Sequence, residues 1–422
     1  MLASALRHHH REWSRRPEAS TLEAAGTLRL TSGAVDRDLS LTATVSSRGQ
    51  GIMTTTQEPA SDLAQFDRKL DELHLRGQWQ YDAQLVQLTD GPVPAGVPFR
   101  WSWELADRAL TEMCTAVSGE TARRNFTFIN PAPDVNGTTQ TLAMGMQITL
   151  PGEIAPAHRH SINALRFVVD GSPDLFTAVD GEKLAMEDGD LIITPAYSWH
   201  DHHNESDKRG VWVDILDVPL MGYLRQMFFE PFGGRTQPLH EDAAAFTSSR
   251  ASHIRPAWEA RQGERIPFRY AWSEVRAALD THRHSSGSPF DGVILHYAHP
   301  ISGGPTLPTI DCFAQLLRPG LCTERHRHTS SAVYYVVEGE GTTVVGDEEI
   351  QWSAGDSFVV PNWMWHAHMN RSSEVDAVLF SATDAPMLEV LGMYREEPRH
   401  SFGTQPYPAV PGDLASPANK RV

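Results

Sequence analysis

The chain carries the same histidine pattern twice. In each copy a Gly and a His-x-His pair are followed by a second Gly, a Pro, a single His and an Asn. The second Gly lies six residues before the Pro, the Pro five before the His, and the His four before the Asn. The copies comprise Gly152, His158, His160, Gly189, Pro195, His200 and Asn204, then Gly320, His326, His328, Gly355, Pro361, His366 and Asn370. Because the same spacing rarely occurs twice by chance, the pattern predicts an internally duplicated chain.

Short strand-like segments surround both copies. "TLAMGMQITL", "LRFVVDG" and "LIITPAYSWHDH" alternate or run apolar between turn residues, and "DCFAQLL", "AVYYVVEG" and "SFVVPNWMWHAH" do the same in the second half. Many short strands separated by Gly, Asp and Pro predict an all-β sandwich or barrel. We therefore expect a mainly β protein with one barrel in each half.

The remaining segments differ from the barrels. Residues 1–52 are rich in Arg, Ser and Thr and are interpreted as a disordered extension or a mis-assigned start before Met53; a targeting peptide and a metal-binding tract at His8, His9 and His10 are alternatives. Helices are expected over 61–87, over 106–117 and within "AWSEVRAALDTH". The expected domains are a helical arm and lead-in (53–137), a first barrel (138–222), a linker (223–286), a second barrel (287–392) and an extended tail (393–422).

Composition excludes several classes of function. A net charge of -17 over 422 residues argues against a nucleic-acid partner, and an anionic substrate would need local arginines to attract it. No apolar run reaches the roughly 18 residues that span a bilayer, and no signal-peptide pattern is present. Cys114, Cys312 and Cys322 are too scattered for a disulfide framework. The default expectation is a cytoplasmic protein without a membrane partner.

The histidines of the first copy have the spacing of a metal site. His158 and His160 lie two apart in a predicted strand, so both side chains point to one face. An antiparallel neighbour brings His200 beside them. Three imidazoles at the mouth of a barrel suit Zn, Fe, Cu or Ni. An exposed, charged strand end is the alternative for a lone His-x-His pair, and the repeated spacing favours the metal site.

The pattern resembles the two sequence motifs of the cupin superfamily, which implies a bicupin of two double-stranded β-helix (jelly-roll) barrels. "LPGEIAPAHRHSINALRFVVDG", "GDLIITPAYSWHDHHN", "WVDILDVPL" and "SPFDGVILHYAHPISGGPTLPTIDCFAQLLRPG" further resemble the gentisate 1,2-dioxygenase family, which includes salicylate and 1-hydroxy-2-naphthoate dioxygenases. The resemblance covers about residues 60–400. Where cupins usually place a Glu, "SINALRF" and "TSSAVYY" contain no acid. A site of three histidines keeps the full charge of its metal and suits an anionic chelating substrate.

The resemblance also implies roles for individual residues. Fe(II) is bound by His158, His160 and His200 of the first barrel. Arg166 is expected to bind the substrate carboxylate, and His202 to hold the hydroxyl or transfer a proton. Gln147 is expected to contact the substrate, and Asp214 to orient a histidine near the pocket. Either Arg123 or Arg124 also reaches the site, with Arg123 preferred. The neighbouring His203 is expected to be exposed.

The second copy has a complete ligand set of its own. His326, His328 and His366 permit a second metal, but "AVYYVVEG" has no arginine corresponding to Arg166. His368 parallels His202. In the first copy, Ile162 and Asn163 stand where the family usually has a smaller polar pair, which makes other ring substituents serious rivals to the family's standard substrate.

The implied function is Fe(II)-dependent ring cleavage of an aromatic ortho-hydroxy acid by O2, without an organic cofactor. Gentisate would give maleylpyruvate; the same reaction on salicylate, 1-hydroxy-2-naphthoate or a 5-amino-, 5-nitro- or 5-halosalicylate is the alternative. An Mn-dependent oxalate decarboxylase-like bicupin and a non-enzymatic bicupin are distant alternatives. The family implies a homo-oligomer, commonly a tetramer, with the arm 61–87 at its interface.

Overall fold

The structure is a computed structural model that describes residues 60–85, 91–119, 123–240 and 266–398. The N-terminal extension with His8, His9 and His10, and the tail beyond 398, lie outside the described residues. The chain divides into two units between Arg76 and Gly77. No helix in the described ranges has both the length and the apolar character needed to cross a membrane.

Two helices stand where one was expected over 61–87, so that prediction was wrong. Helix α1 spans Ala60–Glu72 in the first unit, and α2 spans Gln78–Leu85 in the second. His74, between them, has a φ of 56°. This left-handed conformation ends a right-handed helix, so the expected single helix is interrupted there.

The first barrel consists of two sheets. It is preceded by strand β1 (Phe99–Trp101) and helix α3 (Trp103–Ala116). Its own strands are β2 (Asn125–Thr127), β3 (Ala143–Thr149), β4 (Ile154–His160), β5 (Ala164–Asp170), β6 (Ser172–Val179), β7 (Glu182–Met186), β8 (Leu191–Thr194), β9 (His200–Asn204), β10 (Gly210–Leu216) and β11 (Phe229–Pro231), with helix α4 (Val218–Tyr223) after β10. Together with β12 (Phe268–Tyr270), these strands form the antiparallel sheets β12-β8-β5-β10-β3-β2 and β11-β4-β9-β6-β7.

The second barrel repeats this plan. Helix α5 (Trp272–His282) precedes it. Its strands are β13 (Val293–His296), β14 (Asp311–Leu317), β15 (His326–His328), β16 (Ala332–Glu338), β17 (Glu340–Val345), β18 (Glu348–Ser353), β19 (Ser357–Val360), β20 (His366–Asn370), β21 (Ala377–Thr383) and β22 (Glu396–Pro398), with helix α6 (Ala385–Val390) after β21. The sheets are β1-β19-β16-β21-β14-β13 and β18-β17-β20-β15-β22. The prediction of a mainly β chain with two barrels is confirmed.

Each barrel is completed by a strand that comes from outside its own stretch of sequence. Strand β1 precedes the first barrel but pairs with β19 of the second, and β12 precedes the second barrel but pairs with β8 of the first. These strands fall within the expected lead-in and linker. We call the two strand-helix segments 99–116 and 268–282 the exchanged arms. The expected domain limits therefore place each arm outside the barrel that it completes.

The two arms are anchored by equivalent carboxylates. Asp190 accepts a hydrogen bond from the backbone N–H of Trp272 (2.9 Å) and pairs with Arg269 (2.7 Å). Its counterpart Asp356 accepts from the backbone N–H of Trp103 (2.8 Å) and pairs with Arg100, also at 2.8 Å. Each Asp follows the Gly of the repeated ladder, and a Cβ on Gly189 or Gly355 would lie 2.4 or 2.7 Å from the adjacent tryptophan ring. These Gly-Asp pairs thus anchor the exchanged arms.

A continuous apolar core joins the barrels. Phe167 on β5 stacks on Phe380 on β21 with ring centroids 4.4 Å apart, and both side chains are almost fully buried. Alternate residues of the same strands face inward, so β5 also presents Arg166 and Val168 to the interior of its own barrel. This alternation allows one strand to support both the inter-barrel core and the inside of the barrel.

Candidate active site

Three histidines converge in the first barrel. His158 and His160 lie on β4, and His200, at the start of β9, is the antiparallel partner of His158. Ring centroids lie 4.2 Å apart for His158 and His200 and 4.7 Å apart for His160 and His200. One ring nitrogen from each residue lies within 4.8 Å of the other two. The structure therefore brings the three predicted ligands together in an arrangement that fits a single metal ion.

Backbone carbonyls fix the orientation of all three rings. The Nδ1 atoms of His158, His160 and His200 lie 2.8, 2.9 and 3.0 Å from the carbonyl oxygens of Pro156, Ile162 and Ser198, respectively. A carbonyl only accepts, so each Nδ1 carries the proton and each Nε2 presents a lone pair. The Nε2 of His200 is buried without a hydrogen-bond partner among the described residues. Such outer contacts are typical of histidines that bind metal.

Burial keeps the triad neutral. It lowers the pKa of His158 to about 3, with the charge of Arg123 as the next cause, and the pKa of His160 to about 4, with the charge of Arg166 second. The pKa of the fully buried His200 is likewise lowered well below its usual range, again chiefly by burial. Neutral imidazole is the form that binds metal. The triad is therefore ready to bind a cation across the neutral pH range.

A buried ion pair lies in the same barrel interior. Arg166 on β5 and Asp214 on β10 are paired in register, and Arg166 Nε lies 3.4 Å from Asp214 Oδ1. Arg166 Nη1 donates to Thr194 Oγ1 at 2.6 Å, and the indole N–H of Trp212 donates to Asp214 at 3.1 Å. Asp214, expected to orient a histidine, thus contacts Arg166 and Trp212 instead. Burial raises the pKa of Asp214 while Arg166 opposes the rise, and burial lowers the pKa of Arg166 to about 10. The guanidinium therefore remains charged at neutral pH.

His202 and Gln147 add polar groups to the same interior. His202 lies two residues after His200, and its Nδ1 contacts Thr177 Oγ1 at 2.8 Å. Burial holds its pKa well below the usual range, so the ring is neutral. His202 Nε2 and the side-chain nitrogen of Gln147 are both buried, with no partner in the described ranges. Both are thus available to a bound molecule.

The structure distinguishes Arg123 from Arg124. Arg123 Nη1 lies 2.8 Å from His158 Nε2, to which it donates. Arg124 turns away: it donates to the carbonyl of Val117 at 2.7 Å and pairs with Glu153 at 2.5 Å. The arginine that reaches the site is therefore Arg123. Its donor acts on the same lone pair that a metal would use, so metal binding and this hydrogen bond exclude each other.

Some residues near the site differ from expectation. His203, expected to be exposed, stacks face to face on Phe176 with centroids 4.5 Å apart and only 12% of its side chain accessible, so that prediction was wrong. Asn163 donates to Asp217 and Thr309 at 3.1 and 3.0 Å, and so belongs to the contact between the barrels.

Sequence reasoning missed the two threonines that support the site. Thr194 holds Arg166, and Thr177 holds His202. The signal for Thr177 was present: the second copy has Thr343 at the equivalent position, where it contacts His368 at 2.9 Å. Thr194 has no such counterpart, because Val360 occupies the equivalent place.

Comparison with known proteins places this geometry in a family. The Cupin domain model matches residues 145–216 and 314–383, one match in each barrel. The chain is 44% identical to the 1-hydroxy-2-naphthoate 1,2-dioxygenase of Nocardioides sp. (strain KP7), covering 85% of this chain and 93% of the relative. It is 40% identical to the 5-aminosalicylate 1,2-dioxygenase of Comamonas sp, covering 83% and 96%, respectively.

A solved structure agrees with these relatives. The salicylate 1,2-dioxygenase of Pseudoaminobacter salicylatoxidans, in its adduct with gentisate, superposes with a TM-score of 0.70 and 28% identity, covering 82% of this chain and 96% of that chain. The resemblance seen in the sequence is thereby confirmed. The chain belongs to the gentisate 1,2-dioxygenase family of bicupin ring-cleaving dioxygenases.

Proposed function

We propose that the first barrel binds Fe(II) through His158, His160 and His200, and that the protein opens the ring of an aromatic ortho-hydroxy acid with O2. Cleavage falls between the carbons that bear the hydroxyl and the carboxylate, and both oxygen atoms enter the product. The observation that carries the proposal is the neutral histidine triad beside the charged guanidinium of Arg166 inside one barrel. A ferrous ion there would supply two functions, chelation of the substrate oxygens and electron transfer to O2.

The protein's own residues bind and orient the substrate. Arg166 has five N–H donors, of which Thr194 occupies one, and a guanidinium matches a carboxylate with two parallel hydrogen bonds. Asp214 faces Arg166 and limits its rotation. Arg123 supplies a second positive charge beside His158. These cations overcome the long-range repulsion between a net charge of -17 and an anionic substrate.

His202 is suited to the substrate hydroxyl. Thr177 fixes one side of its ring, which leaves Nε2 directed into the interior as a hydrogen-bonding group. A neutral imidazole accepts or donates a proton according to its tautomer, so it serves either to hold the hydroxyl or to take its proton. Gln147, whose side-chain amide donors lie in the same interior, is assigned a substrate contact.

Gentisate is the first substrate candidate, and 1-hydroxy-2-naphthoate is the second. The gentisate 1,2 dioxygenase 1 of Aquipseudomonas alcaligenes is 36% identical over 82% of this chain. The higher identity of 44% to a 1-hydroxy-2-naphthoate 1,2-dioxygenase is the specific observation that favours the bicyclic acid. Salicylate and its 5-amino, 5-nitro and 5-halo derivatives complete the class.

The proposal is tested with the full chain. Chelator-treated protein is reconstituted anaerobically with Fe(II), and O2 consumption is measured against gentisate, salicylate, 5-aminosalicylate and 1-hydroxy-2-naphthoate. We expect turnover of at least one acid, loss of activity with chelator and its return with Fe(II). His160→Ala should abolish turnover, whereas His284→Ala, at an exposed position, should not. Full activity in chelator-treated protein, or no turnover of any acid after loading, would contradict the proposal.

We further propose a cytoplasmic homo-oligomer, with the tetramer common in the family as the expected state and the N-terminal arm at its interface. On α1, Leu63 and Leu73 leave 40% and 59% of their surface accessible, which suits an apolar contact. Three free cysteines fit a reducing compartment. Light scattering should give a multiple of 46.8 kDa; a monomeric mass would refute the oligomer. Detection only outside the cytoplasm on cell fractionation would refute the location.

A further inference from the structure

The second barrel contains a histidine triad that the proposed reaction does not use. His326 and His328 lie on β15 and His366 on β20, with one nitrogen from each within 4.8 Å of the other two. His326 and His366 are paired in register, as His158 and His200 are in the first barrel. All three side chains are buried or nearly so. The geometry of a metal site is thus present twice.

Two of the three rings are oriented as in the first barrel. His328 Nδ1 lies 2.8 Å from the carbonyl oxygen of Ser330, and His366 Nδ1 lies 3.0 Å from that of Met364. Both Nε2 atoms therefore present lone pairs to the shared space. The third ring differs: His326 Nδ1 faces a carboxylate oxygen of Glu396 at 3.8 Å and makes no hydrogen bond with a described residue.

This arrangement is unfavourable for neutral imidazoles alone. The Nε2 atoms of His326 and His366 are only 2.7 Å apart. If His326 carries its proton on Nδ1, two lone pairs face each other across that distance. If it carries the proton on Nε2, its Nδ1 lone pair is buried against the Glu396 carboxylate. A cation bound to both Nε2 atoms removes the conflict, because it puts the His326 proton on Nδ1, facing Glu396.

The surroundings of this triad do not suit the substrate. Tyr334 takes the place of Arg166, and Ser381, its register partner, takes the place of Asp214. Tyr334 stacks on Phe358 with centroids 4.6 Å apart and planes 4° from parallel, and both are buried. Among the described residues of this interior, no buried cation corresponds to Arg166, and aromatic rings occupy its place.

We propose that the second barrel binds a structural divalent transition-metal ion through His326, His328 and His366, with Glu396 as a positioning residue for His326. Glu396 belongs to β22, which pairs with β15 and is the last described strand. A carboxylate behind a metal-bound histidine fixes its ring and strengthens the ligand. The ion therefore ties strand β22 to the barrel and takes no part in ring cleavage.

Metal counting on the full chain tests the proposal. Metal-free protein is titrated anaerobically with Co(II), and bound metal is measured by mass spectrometry after gel filtration. We expect two ions per chain in the wild type, one in His200→Ala and one in His366→Ala, with circular dichroism to establish that the variants are folded. One ion per chain in the wild type, unchanged by His366→Ala, would overturn the proposal.

Two further variants keep the triad and test the role of Glu396. Glu396→Gln should weaken one of the two Co(II) sites by about 10- to 100-fold. Glu397→Gln is the matched control, because Glu397 pairs with Arg327 and Arg395 instead of facing the triad. Equal affinities in the two variants would remove Glu396 from the site. Folded His366→Ala should cleave substrate at the wild-type rate per iron in the first barrel; loss of that rate would rule out a purely structural ion.

Discussion

At the scale of single residues, the site depends on a buried arginine inside the first barrel. Arg166 is 3% exposed, and its partners Asp214 and Thr194 come from the two strands that flank it. Burying a charge is costly unless it is paired, so the guanidinium marks a place where the barrel needs a fixed positive charge. The second barrel, with Tyr334 there, shows that the fold itself does not require one.

Replacing Arg166 should therefore affect substrate binding more than folding. In Arg166→Lys the charge remains but the two-pronged donor is lost, so we expect the KM for the aromatic acid to rise at least about 30-fold, equivalent to roughly 2 kcal/mol. The carboxylate contact exists before the reaction as well as during it, so kcat should fall less. Steady-state O2 uptake measures both constants. Arg209→Lys, a partly exposed arginine of the same barrel, is the control, and an unchanged KM in Arg166→Lys would contradict the assigned role.

At the residue level, strand alternation predicted which side chains share a face. His158, His160 and Arg166 share parity around a tight turn, and the structure has them on the inside of the barrel. Arg123 and Arg124 could not be separated by such a rule, because the two residues just before β2 follow no alternation. Glu396 was assigned to an extended tail, since a three-residue edge strand has no periodicity of its own.

At the scale of elements, the exchanged arms were not foreseen, although a signal was present. "FRWSW" at 99–103 and "FRYAW" at 268–272 repeat the pattern Phe-Arg-aromatic-x-Trp, one before each barrel. Strand pairing across a long sequence separation leaves no local pattern, so the repeat indicates two equivalent arms without revealing which barrel each one joins.

Substitution of the ladder glycines tests the arm contact. A Cβ on Gly355, with a φ of 89°, would lie 2.7 Å from the Trp103 ring, whereas one on Gly320, with a φ of 68°, would have no neighbour within 4 Å. Both alanine variants should lose about 1–2 kcal/mol to the left-handed backbone. Gly355→Ala should lose roughly 1–3 kcal/mol more through overpacking. Urea unfolding measures the difference in the free energy of unfolding. Equal losses in the two variants would show that the Trp103 ring does not restrict a side chain at position 355.

At the scale of the whole molecule, two buried carboxylates accept hydrogen bonds from the opposite barrel's half of the chain. Asp217, after β10, accepts from Thr309 Oγ1 of the second half at 2.6 Å. Asp384, after β21, accepts from the backbone N–H of Ser331 at 2.8 Å and from the hydroxyl of Thr141 in the first half. Burial raises the pKa of both carboxyls, that of Asp384 to about 6. The same carboxylate contact thus links the barrels in both directions.

The raised pKa of Asp384 predicts a pH-dependent stability. Because the pKa of this carboxyl is higher in the folded state, its ionisation lowers the stability of the protein. The loss is absent below pH 3.8, grows as the pH rises, and is complete above about pH 6. Relative to the wild type, Asp384→Asn should therefore gain stability between pH 4 and pH 8, by up to roughly 3 kcal/mol. Urea unfolding at several pH values measures this gain. A stability difference between Asp384→Asn and the wild type that does not change with pH would contradict the prediction.

The exchange of arms constrains the order in which the nascent chain completes its parts. When residues 125–231 have left the ribosome, the first barrel still lacks β12, which lies at 268–270. At that stage β1 has been synthesised but its partner strand β19, at 357–360, has not. The first barrel therefore remains unfinished through the translation of some forty further codons, and a gene divided midway between the barrels would leave each product with an open sheet edge.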